Sequence, residues 1–185
     1  MKVRRGLGAT VVGMTYPDYV TTAHGSADTT SAEAMRLARA NINPKTGLAT
    51  DYLNHFSEAI MLLELLPGSP EFRDDFLRWR PSSYREHFSV SRSATHRVAI
   101  AAYERADPYA RTRLDALAGA MTAVLEATRA ALRAGLPHTV VAALAHETAA
   151  ALKPLVARAG AVINGEAHRH DVAAPQVAIG DLMKA

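Results

Sequence analysis

A chain of 185 residues with 49% hydrophobic and 21% charged side chains is large and apolar enough to fold around its own core, which excludes a wholly disordered protein. It contains no cysteine, so thiol nucleophiles, thiolate zinc sites, cysteine-ligated clusters and disulfides are excluded together. The net charge of +3 includes Lys2, Arg4 and Arg5; without those three, 18 basic residues face 18 acidic ones, and no basic stripe for nucleic acid is expected.

Residues 1–28 read as an irregular N-terminal arm. Lys2, Arg4 and Arg5 precede a short apolar run that imitates a secretory signal, but that run holds Gly6, Gly8 and Gly13 and leads into Tyr16-Pro17-Asp18. Export is therefore not expected, and a cytoplasmic location is. Gly6 and Gly8 begin a dinucleotide fingerprint, yet Val11 stands where its third glycine belongs. Met14 is a second candidate start. No uninterrupted run of 18 apolar residues occurs, so no membrane span is expected.

From Thr29 the pattern becomes helical, with Thr30 or Ser31 as cap and Ala34, Met35, Leu37 and Ala38 on one side. This helix ends near Asn41, and Asn43-Pro44-Lys45-Thr46-Gly47 has the chemistry of a turn. A second helix over 51–66 carries Tyr52, Leu53, Phe56, Ala59, Ile60, Leu63 and Leu66 at three- and four-residue spacing, capped by Thr50 and stopped by Pro67-Gly68. Ser69-Pro70-Glu71 starts a third, with Phe72, Phe76 and Trp79 on one face and Pro81 as its stop. A short turn of helix follows, pinned by Tyr84 and Phe88. Further helices are expected over 94–106, over 108–134 with Leu114, Leu117, Met121, Val124, Leu125 and Leu132 buried, and over 139–162 with a kink or break at Pro154. Residues 165–185 lose helical periodicity and read as a flexible tail. The chain is thus expected to be all-α, a compact bundle of about five or six helices over 29–164 between two irregular arms.

Four groups of residues bear on chemistry. His55 and Glu58 lie three apart on one helix, with Asp51 a turn earlier, a spacing that suits a shared metal or a hydrogen bond. The His-then-Glu order is the reverse of the Glu-x-x-His used in di-iron bundles, and it has no second copy. Glu166, His168, His170 and Asp171 form the densest ligand cluster, in which His168 and His170 suit a borderline divalent ion. Arg80 to His87, beside Trp79, is the best polar and aromatic patch; Trp79, Tyr84 and Arg85 are residue types favoured at binding hot spots, although aromatics at such spacings also serve cores. No nucleophile elbow or phosphate-binding P-loop occurs.

His146-Glu147, eight residues before Pro154 on an otherwise apolar helix, resembles the phosphoacceptor helix of two-component histidine kinases and phosphotransfer bundles over about ten residues. That resemblance implies an exposed His146 able to accept a phosphoryl group. Ala150 stands where the kinase pattern often has Asn or Thr, and no ATP-binding domain follows.

These features point first to a non-catalytic helical module that binds another protein or its own copy. They imply no cofactor, and neither a nucleic-acid nor a membrane partner. The alternative is a small metal-binding or phosphoryl-accepting bundle using His55 and Glu58, His146, or His168 and His170.

Overall fold

Apolar side chains recurring at helical pitch determine the architecture. In the computed structural model, which describes residues 24–90 and 93–166 with side chains from Thr30 onward, they build α1 (His24–Arg39), a 3-10 turn (Thr50–Leu53), α2 (Asn54–Leu65), α3 (Phe72–Arg78), α4 (Tyr84–Ser89), α5 (Ala94–Glu104), α6 (Pro108–Arg133) and α7 (His138–Ile163). Among the described residues no strand forms beyond one isolated bridge, Ile42 to Ala49. The fold is all-α and compact. The described residues hold seven helices against the expected five or six; α4, expected as a short turn of helix pinned by Tyr84 and Phe88, forms there as a six-residue helix.

The long antiparallel pair α6 and α7 forms the frame, and α2 packs along α7. Phe56 and Leu63 from α2, Leu114, Met121, Leu125 and Leu132 from α6, and Leu152 and Ile163 from α7 are completely enclosed. Dry packing of this kind contributes about 1.5–3 kcal/mol for each large side chain removed from water. Polar ties fix the helices in register. Thr128 and Thr148 meet at 3.0 Å between α6 and α7, and because the Thr128 hydroxyl donates to the Val124 carbonyl, Thr148 supplies the proton of the bond between the helices. Across α3, Arg73 donates to the Leu132 carbonyl at 2.6 Å, and Arg129 donates to both Glu126 and the Leu77 carbonyl.

Local chemistry sets the element ends. Asp107 caps α6 by accepting from the Ala110 amide at 2.8 Å, with Pro108 in the first helical position, where its missing N–H is harmless. Asn43 makes the turn before the 3-10 element: its side chain accepts from the Lys45 amide at 2.8 Å, and its carbonyl accepts from Gly47 at 2.8 Å. Gly47 has φ +72°, which glycine adopts without strain. Thr46 in the same turn donates from its hydroxyl to the Ile163 carbonyl at 2.6 Å, tying this loop to the end of α7.

Several boundaries depart from the sequence expectation. Helix α1 begins at His24, earlier than Thr29, because the hydroxyl residues read as caps are also tolerated inside a helix. Thr50 opens a 3-10 turn and makes no capping bond. Ser69 likewise does not cap; its carbonyl takes the Phe72 amide in a backbone turn, and α3 starts one turn later. Pro154 does not break α7, since it and Ala150, whose carbonyl loses its usual amide partner, lie on the exposed side. An 18-residue window of α7 has mean hydropathy 1.3, long and apolar enough to cross a membrane by length and composition alone, and 28% of it is buried within the described fold. A count of uninterrupted apolar residues does not register that helix, because His146, Glu147 and Lys153 interrupt it.

Candidate functional site

The segment after Pro81 lies where three tyrosines converge. Ser83 and Glu86 start α4 with a reciprocal capping box: the Glu86 amide donates to the Ser83 hydroxyl, and the Ser83 amide donates to Glu86 Oε2 at 2.8 Å. This start orients Tyr84 inward, where its hydroxyl accepts from the Ala49 amide at 2.9 Å and its ring stacks on Tyr103 at 4.4 Å and 15°. Tyr52 lies 5.2 Å from Tyr84 and donates to the Ser82 carbonyl at 3.0 Å. Tyr103, near the end of α5, donates its hydroxyl to both oxygens of Asp115 on α6, at 2.7 and 2.8 Å. Arg85 pairs with Glu104 at 3.0 Å. The Arg111 guanidinium sits over the Tyr103 ring at 5.8 Å.

Between these groups opens a cleft of about 620 Å³, lined also by Pro81, Ala118, Gly119 and Thr122. Its size is within the usual range for ligand pockets. Burial pushes the Tyr52 phenol above its ordinary value, and the negative charges of Asp115 and Glu86 add to that. Burial raises Tyr84 as well. Tyr103 is pushed up to about 12, first by burial and then by its bond to Asp115. All three phenols therefore stay neutral at physiological pH and act as hydrogen-bonding rings, not as bases. Glu86 is held below the usual carboxylate range by its bonds from Ser83 and remains charged.

A second constellation lies beside the first. His55 stacks on Trp79 at 4.6 Å and 23°, and Trp79 Nε1 donates to the His55 carbonyl at 3.2 Å. The buried Nε2 of His55 has no hydrogen-bond partner. Glu58 is exposed, so the expected pairing of His55 with Glu58 or Asp51 does not form; the indole face captures the imidazole instead. Asp51 interacts with His87. Desolvation, helped by His87, pushes His55 down to about 4. His87 is also lowered, by burial first and then by His96, with Asp51 acting in the opposite direction.

Between about 4 and the ordinary imidazole value of 6.5, the unfolded chain binds a proton at His55 that the folded chain refuses. Stability is therefore full above 6.5 and falls as pH drops towards 4. Urea unfolding at pH 7.5 and 5 is expected to show this loss, and His55→Phe, which keeps the stacking and removes the orphaned nitrogen, should reduce it and leave the share contributed by the lowered His87. An unchanged slope in that variant would refute the assignment.

Of the three residues singled out for an interface, Trp79 and Tyr84 are only 6% and 2% exposed and belong to the core, while Arg85 is exposed at the cleft. His146 is exposed on α7, followed by an exposed Glu147. His168 and His170 lie outside the described residues. Among the described residues, no group of three or more histidine or carboxylate side chains could hold a metal ion. Sequence reasoning missed Asp115 and Gly119, which sit one turn apart on the cleft side of α6. The glycine in mid-helix was the available signal.

No family model, curated protein sequence or solved structure matches the chain.

Proposed function

We propose that this chain is a non-catalytic binding module that docks a protein partner in the cleft between α4, α5 and α6. The observation that carries this reading is Gly119. Glycine in the interior of a helix costs about 0.5–1 kcal/mol relative to alanine, and in return it lets another group approach the backbone closely. Here a Cβ on Gly119 would meet nothing within 4 Å, so no neighbour among the described residues requires the glycine. The space it leaves opens into the cleft, beside fixed aromatic rings and the exposed Arg85. Rigid rings with charged groups at the rim are the usual makings of a recognition surface.

Two measurements separate this from a purely structural cleft. Gly119→Ala should raise stability by about 0.5–1 kcal/mol in urea unfolding, since it adds helix propensity without a clash; destabilisation would show that the fold itself needs the glycine. Gly119→Arg fills the cleft from an open position. Partners, or a second copy detected by light scattering, should be retained by the wild type and lost by Gly119→Arg at unchanged helicity. Identical retention by both proteins would overturn the proposal.

A further inference from the structure

The charges around the cleft indicate what kind of group it receives. Two carboxylates line it, Asp115 and Glu86, together with one cation, Arg85. Arg85 is already engaged by Glu104, and the nearby Arg111 lies over the Tyr103 ring. Both bonds to Glu86 land on Oε2, so its other oxygen makes none among the described residues. Asp115 is oriented by the Tyr103 hydroxyl, whose own ring is stacked on Tyr84. A carboxylate oxygen accepts more than one hydrogen bond, so Asp115 keeps acceptor capacity after Tyr103 is satisfied. An incoming anion would face two carboxylates and a guanidinium already paired; an incoming cation would find acceptors already fixed in place.

We infer that the cleft seats a basic side chain, arginine or lysine, from a partner's polypeptide segment, with its charged head on Asp115 and its aliphatic stem along Pro81 and the half-buried Tyr103 ring. This rests on the cleft being the docking site. Basic side chains suit such a lining because their methylene stems favour apolar walls while the head stays with polar groups. Gly119, one turn from Asp115 on the same face of α6, leaves the opening through which the stem reaches the carboxylate. The volume exceeds that of one side chain and leaves room for flanking backbone.

The test is a two-dimensional amide NMR titration of the full chain with Nα-acetyl-arginine amide and Nα-acetyl-lysine amide, against the acetylated glutamate and glutamine amides. Saturable shifts at Ser83, Glu86, Gly119 and Thr122 are expected with the basic probes alone. Asp115→Asn keeps an acceptor for Tyr103 but removes the charge, and should weaken the basic probes about tenfold, as loss of a charge-assisted bond does. No saturable shift with either basic probe, equal shifts with the glutamate probe, or undiminished binding to Asp115→Asn would each overturn the inference. If the inference fails while Gly119→Arg still abolishes partner retention, the docking role of the cleft stands and only the basic ligand falls. If Gly119→Arg has no effect on retention, the docking role itself falls.

Discussion

Gly47→Ala is expected to cost about 3 kcal/mol of folding free energy, from two sources that add. At φ +72° an alanine is held in a region that side chains with a Cβ avoid. The new methyl would also stand 3.0 Å from the Ala102 carbonyl oxygen and 3.1 Å from the Ala106 Cα. Both are backbone atoms at the end of α5 and beyond it, and they cannot rotate away as a side-chain tip would. Gly135 is the control. Its φ is +76°, but nothing among the described residues lies within 4 Å of its Cβ position, so Gly135→Ala should cost only the conformational share, about 1–2 kcal/mol. Urea unfolding of the two variants measures the difference, and equal losses would show that the contact with the α5 end does not matter.

The second large effect is expected at Glu126. Arg129 is a cation with only 4% of its side chain exposed, bonded to Glu126 and to the Leu77 carbonyl, while Glu126 is 40% exposed. Glu126→Ala leaves that guanidinium enclosed with one neutral acceptor, which is expected to cost about 2 kcal/mol, below the usual 3–5 for breaking a buried pair because Glu126 is partly hydrated. Arg129→Met removes the charge and keeps most of the volume, so it should change stability by less than about 1 kcal/mol. The Leu77 carbonyl is not orphaned, since Arg80 also donates to it at 2.9 Å. In the Arg129→Met background Glu126→Ala should become nearly silent. An equal loss in both backgrounds would mean that Glu126 acts through something other than Arg129.

The helices were legible because their stripes are long. The spacing of Phe56, Ile60 and Leu63, and of Leu114, Met121, Leu125 and Leu132, is a local property that survives without any knowledge of partners. Turn chemistry at Asn43 to Gly47 was legible for the same reason. Arg129 was not, because its burial depends on α3 crossing α6, which brings residues 77 and 129 together. The cleft was half legible. The patch from Ser82 to Glu86 is continuous in sequence, but Tyr103, Asp115 and Gly119 complete it from α5 and α6. Trp79 and Tyr84 show the limit in the other direction: large aromatics suit interfaces and cores alike, and only three-dimensional neighbours such as His55 and Tyr103 decide which.

The hydrogen bond from Thr46 to Ile163 joins positions 117 residues apart and ties the loop after α1 to the last turn of α7. A bundle held only by neighbouring helices can fray from its last turn inwards. In this one, release of the final turn of α7 strips a buried hydroxyl of its acceptor and loosens the loop that carries Gly47. Opening at the end of α7 is thereby transmitted to the turn between α1 and the 3-10 element, so these two segments should exchange their amide protons with solvent in one concerted event.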